Sequence, residues 1–384
     1  MAVPRAVHRR MLSVEVQPLQ PQPSPREPED TPRETQTDAY GFSIAVTAAQ
    51  RAALLDAAAA WAPFAPGGPL PPAAELKRLC RAGVPPALRP WVWAEVSGAT
   101  RRRRARHPSY YAAMAELGRH ESPLTHQISL DVPRTFPGNA WVQGARGQEL
   151  LRRVLSAFAA HCPEVGYCQG MNYVAALLLL ALGCDEEAAF WVLVSLIDGH
   201  DEGILYRDMY SRDLSGTHVE MRCLRALVDA KLPTLGAHLA ETHCDISLVS
   251  TDWFLCLFST ALPAETAVRV WDALLLEGPK LLFRVALALL REAEPALLAT
   301  DNAGDLLRAM RRSAAATHDR EALMRDALKG VGGLPMERIR RYRQRNQRDV
   351  DREFAARETR AALRTAVANG FVITDRGACL KRSS

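Results

Sequence analysis

A membrane-crossing helix is the first thing this chain lacks. Its longest apolar run, Val174 to Leu182, falls far short of the roughly 20 residues that a bilayer span requires. Paired cysteines are missing as well. The eight cysteines, at 80, 162, 168, 184, 223, 244, 256 and 379, contain no C-x-x-C, and most lie in apolar helical runs, which predicts reduced, buried thiols in the cytosol. There is no G-x-x-x-x-G-K-[ST] loop, so the chain is not itself a P-loop nucleotide hydrolase, and G-x-S-x-G, H-E-x-x-H and G-x-G-x-x-G are also absent. His161 and Cys162 near Cys168 match no common zinc spacing, and no metal site is expected. No basic motif is interleaved with aromatics, which argues against nucleic acid as a partner. Charge of one sign is scarce too: 48 basic against 43 acidic residues leave only +5, which permits an acidic partner or an anionic membrane without requiring either.

Long period-two alternation and hairpin turns are likewise lacking, whereas helical spacing recurs along most of the chain. The expected class is therefore all-α, an array of a dozen or more helices. Residues 1–37 begin with Arg5, Arg9 and Arg10 in the manner of a leader, but Glu15 and the proline-rich stretch that follows break any amphipathic continuation. They are read as a disordered tail. Residues 38–74 form a short pre-domain segment, with Tyr40 and Phe42 around Gly41, followed by a Pro/Gly linker. The main domain is placed at 75–330, and 331–384 is an arginine-rich extension expected to be a solvated helix docked loosely on the domain. The run Arg101 to Arg106 is read as a solvated loop between helices.

Three polar blocks interrupt the helices. The first is Arg81-Ala82-Gly83-Val84-Pro85-Pro86-Ala87-Leu88-Arg89-Pro90-Trp91-Val92-Trp93, and the second is Ile128-Ser129-Leu130-Asp131-Val132-Pro133-Arg134-Thr135. The third, Tyr167-Cys168-Gln169-Gly170-Met171-Asn172, joins two buried helices, with Asn172 expected to cap the second. Pro133 and Pro137 each push their predecessor toward extended backbone, so Arg134 is predicted on a stiff extended loop. Gln169 stands beside Gly170, whose missing side chain leaves room for another molecule's backbone. Taken singly, Arg134 suits a surface salt bridge and Gln169 a turn or cap.

Together and in this order, the three blocks resemble the signature motifs of the TBC domain, the catalytic unit of activators of Rab GTPases. The resemblance covers about Glu75 to Leu290 and takes in Thr251-Asp252-Trp253-Phe254 and Arg269-Val270-Trp271-Asp272, with Val84 standing where isoleucine is usual. It implies a TBC-type helical array in which Arg134 is an arginine finger and Gln169 a glutamine finger. Asp131 would hold the arginine loop by accepting hydrogen bonds, and Arg89, Tyr167 and Gly170 would support the pair. The implied activity is acceleration, in trans, of GTP hydrolysis by a Rab in its GTP form, with no independent active site and no cofactor here, since GTP and Mg belong to the partner. A non-catalytic effector or scaffold that holds GTP-loaded Rab is the alternative.

Asp38-Ala39-Tyr40-Gly41-Phe42, Gly166-Tyr167-Cys168-Gln169-Gly170 and Arg212-Asp213-Leu214 further resemble the Armus-like subgroup, which acts on late-endosomal Rabs. The growth-hormone-regulated TBC subgroup is next. The chain is too short for the lipid-binding and coiled-coil regions of an Armus-like protein. The location implied is cytoplasmic, peripheral at endosomal or other trafficking membranes.

Overall fold

The computed structural model describes residues 36–38, 40–44, 48–198, 204–206, 208–368, 371–373 and 379–381. The expected disordered tail falls almost wholly outside them, and the described residues belong to one compact unit. Eighteen α-helices carry the described chain. The first seven are α1 (Ala48–Trp61), α2 (Ala73–Ala82), α3 (Arg89–Val96), α4 (Ala99–Arg104), α5 (Tyr110–Leu117), α6 (Pro123–Asp131) and α7 (Ala140–Gln143). The central group is α8 (Ala145–His161), α9 (Met171–Ala181), α10 (Glu186–Ile197), α11 (Ser215–Lys231), α12 (Pro233–Glu241) and α13 (Ser247–Leu255). There follow α14 (Ala264–Glu277), α15 (Lys280–Leu298), α16 (Ala303–Ala315), α17 (Arg320–Arg325) and α18 (Met336–Ala368). Among the described residues, strand is confined to two short antiparallel ladders, Gln36–Thr37 with Ser43–Ile44 and Phe371–Ile373 with Cys379–Lys381. The all-α array of a dozen or more helices expected from the sequence is what the described chain adopts.

Local signals explain most boundaries. Asp185 caps α10 by accepting from the Ala188 amide at 3.0 Å, with Glu186 and Glu187 in the positive first turn. Gly83 ends α2 at φ +115°, a conformation that side chains resist. Helix α9, apolar but for Asn172 and the Tyr173 hydroxyl, is buried at every residue but one, and α8 turns Leu150, Leu151, Val154, Leu155 and Phe158 inward beside it. These two helices, with α10, α14 and α15, supply much of the main core.

Two expectations change. The run Arg101 to Arg106 is not a solvated loop. Its first four arginines continue α4, because arginine is a good helix former and acids on or just after α10 meet it: Arg102 pairs with Asp198 at 3.0 Å and Arg103 with Glu187 at 2.9 Å. The extension is docked firmly as far as Phe354, rather than loosely. Arg343 of α18 reaches the buried Glu220 of α11 through two bonds of 2.6 and 2.8 Å, its guanidinium 4.3 Å over the Tyr206 ring, and Ile339 and Val350 are buried beside it.

Candidate functional site

Asp131 closes α6, is 0% exposed, and organises the site. Its Oδ1 accepts from Arg134 Nε at 2.9 Å, from Arg134 Nη2 at 2.6 Å and from Gln127 Nε2 at 3.2 Å, while the Tyr167 hydroxyl donates to Oδ2 at 2.6 Å. One carboxylate therefore holds the second and third polar blocks together. Burial and the Asp131 charge push the Tyr167 phenol well above its ordinary pKa, so it stays protonated and donates. The Arg134 side chain remains 37% exposed.

The extended loop predicted around Arg134 is instead a 3-10 turn, Val132–Arg134, with Val132 at φ −56° and ψ −49°. The proline effect on the preceding residue is a preference that the continuing α6 backbone overrides. The turn leaves through Phe136, whose φ of +46° is strained for a bulky residue. Two aromatic contacts brace it, each edge-on at 5.2 Å: Phe42 on one side and Tyr173 on the other. The pre-domain segment thus packs directly on the arginine turn.

A second stitch lies beside the first. The Thr135 hydroxyl donates to the Asp131 carbonyl at 2.8 Å and accepts from Asn172 Nδ2 at 2.8 Å. Asn172 Oδ1 in turn accepts from the Gly170 amide at 3.1 Å. Asn172 is therefore not the cap of a helix beginning at Tyr173. Helix α9 begins one residue before it, and its amide ties the glutamine segment to the arginine turn. Gly170 also plays a different part from the one expected. It sits at φ +109°, and an added Cβ would meet Leu255 O and Cys256 Sγ, both at 3.3 Å, so this chain's own interior fills the space thought free for a partner. Gln169 between them is half-buried, and its carboxamide has no side-chain hydrogen bond to another described residue.

Arg89 belongs to a different centre. It is buried and paired with Asp272 through Nε to Oδ1 at 2.9 Å and Nη2 to Oδ2 at 3.0 Å. Asp272 also accepts from Trp93 Nε1 at 2.9 Å and from the Val84 amide at 3.0 Å. The Tyr40 hydroxyl completes the shell of Arg89, and the Tyr40 carbonyl accepts from Asn139 Nδ2 at 2.7 Å, just after the arginine turn. Tyr40 thus stands between Arg89 and the backbone that follows the arginine turn. Reading the sequence missed Thr135, Phe136, Tyr173 and Phe42 in this role; Phe42 stands out there only as a neighbour of Gly41. Among the described residues, Cys162, Glu164 and Asp198 are close enough to share an ion, but the thiol already donates to Glu164 at 3.2 Å and Arg102 holds Asp198.

A family model for the Rab-GTPase-TBC domain matches residues 86–298. TBC1 domain family member 2A of Mus musculus is 38% identical over 322 residues, covering 80% of this chain and 34% of the relative. The chain so spans about a third of the length of such relatives, which fit the expected Armus-like subgroup. Growth hormone-regulated TBC protein 1-A of Danio rerio is 34% identical over 70% of this chain and 75% of its own length. Among solved structures, the Chlamydomonas flagellar RabGAP TBC domain superposes with a TM-score of 0.68 at 40% identity, covering 78% of this chain and all of that one. The Ypt/Rab-GAP domain of Gyp1p, at 20% identity and a TM-score of 0.61, shares the fold over 72% of this chain and 98% of its own. Two polar segments bound to one buried carboxylate, on a helical array matched in sequence and in structure, make this chain a member of the Rab-GTPase-TBC domain family.

Proposed function

We propose that the chain accelerates GTP hydrolysis by a Rab-family GTPase in its GTP form, lending Arg134 and Gln169 to the partner's nucleotide. The observation that carries this reading is the double stitch, Asp131 to Tyr167 and Thr135 to Asn172, which brackets a partly exposed guanidinium and an unpartnered carboxamide. Phosphoryl transfer to water asks a protein mainly for positioning and for charge stabilisation of the transferring group. A guanidinium suits the developing charge because it offers a fixed fork that never loses its proton. The carboxamide of Gln169 would accept from the attacking water and hold it in line. Asp131 would keep the guanidinium aimed, and Tyr167 would keep Asp131 in place. The nucleotide and its magnesium ion come with the partner, and the setting is the cytoplasmic surface of trafficking membranes.

The test is single-turnover GTP hydrolysis across a panel of GTP-loaded Rabs. At least one should be accelerated by the intact chain, and Gln169→Ala should lose about 10²-fold or more of that acceleration. GTP-dependent binding without acceleration would leave the effector or scaffold reading in its place. Phe42→Ala should lower the same rate about tenfold, because a turn braced on one side only misplaces Arg134. The loss should appear in the maximal rate rather than in half-saturation; an unchanged rate refutes the bracing role.

A further inference from the structure

Helix α18 presents two opposite faces. Ile339, Arg343, Asn346, Val350 and Phe354 follow helical spacing along one side and dock on α11, with Asn346 Nδ2 3.4 Å from Cys223 Sγ and Phe354 edge-on to His218 at 5.5 Å. Arg338, Arg341, Arg345, Arg348 and Arg352 repeat at the same period on the other side. At 1.5 Å per residue they form a line about 21 Å long. The last four are exposed and Arg338 half-buried.

Acids soften this line without cancelling it. Arg352 bonds Asp349, Glu337 lies at the near end and pairs with Arg340 at 3.7 Å, and Asp351 and Glu353 lie off the stripe. The side chains of Arg338, Arg341, Arg345 and Arg348 have no hydrogen-bond or ion-pair partner among the described residues. The buried Arg343–Glu220 pair on the opposite face fixes the helix on the domain, so the four guanidiniums are presented as a set.

We propose that this stripe is a docking surface for the phosphate-rich face of an anionic membrane. A straight row of flexible, unpaired cations matches a flat field of headgroup phosphates. The apolar side of α18 is already spent on α11, so the contact is electrostatic and superficial rather than an insertion. No aromatic stands in the stripe to stack bases, which separates it from a nucleic-acid surface. Attachment by this route also suits a chain in which no described helix is long and apolar enough to cross a bilayer. The inference goes beyond the hydrolytic reading and stands or falls separately from it.

The experiment is cosedimentation of the full chain with phosphatidylcholine vesicles, with and without phosphatidylserine. Anionic vesicles should be preferred at least tenfold, and the preference should fade as salt rises. The triple variant Arg341→Glu, Arg345→Glu, Arg348→Glu should lose about 10²-fold or more, at roughly fivefold for each charge removed. The matching triple lysine variant should stay within about threefold. Both should unfold at the wild-type urea midpoint and leave hydrolysis by soluble Rab unchanged. The proposal is overturned by equal binding to neutral vesicles, by full binding of the glutamate triple, by preference for a nucleic-acid duplex, or by loss of hydrolysis on soluble Rab, which would make the stripe a GTPase contact.

Discussion

Arg134→Ala is expected to lower stimulated GTP hydrolysis about 10³- to 10⁵-fold, the range that arginine fingers contribute, or roughly 4 to 7 kcal/mol of barrier. Arg134→Lys should recover only a small part. Lysine keeps the charge but loses the fork, and it also loses the pair of contacts, Nε and Nη2, by which Asp131 holds the side chain. Asp131→Asn separates aim from charge. The asparagine can still accept a hydrogen bond, but it no longer neutralises the resting guanidinium or accepts equally from Tyr167, so an intermediate loss is expected. Stopped-flow phosphate release on a responsive Rab measures all three. Equal rates for wild type and Arg134→Ala would end the catalytic reading, whatever the binding affinity.

Asp272→Ala should be the most damaging change to stability, at about 3 to 5 kcal/mol. It strands Arg89 as a buried charge and removes the acceptor of the Trp93 indole and the Val84 amide together. Such a loss is a large fraction of the roughly 5 to 15 kcal/mol that holds a domain folded. Urea unfolding gives the measurement. The pair replaced as a unit, Arg89→Met with Asp272→Leu, should recover much of the loss because no charge is then left alone. A single variant within about 1 kcal/mol of wild type would mean that water reaches the pocket and that the centre is less closed than its geometry indicates.

How far the sequence could be read depended on the range of each signal. Helices such as α8 and α10 were legible because their spacing and caps are local, and the three polar blocks carried the family likeness in consecutive residues. The bond from Asn172 to Thr135 joins residues 37 apart and leaves no local trace. Asn172 at a helix start reads as a cap for that reason. Tyr40 stands 49 residues from Arg89 across a proline-rich linker, so nothing nearby announces that the segment closes a buried ion pair. Gly170 misled in the other direction. Its absent side chain does mean close approach, but the approaching atoms are those of Leu255 and Cys256. At the arginine turn, a statistical preference about prolines gave way to the momentum of the helix before it.

The Tyr40 and Arg343 contacts also bear on where the chain can be cut. A fragment trimmed to residues 86–298 would keep Arg134 and Gln169 yet discard the hydroxyl that completes Arg89 and the guanidinium that neutralises Glu220. Its poor behaviour in solution would then be mistaken for a defect of catalysis. A faithful minimal piece starts ahead of Asp38 and runs beyond Phe354.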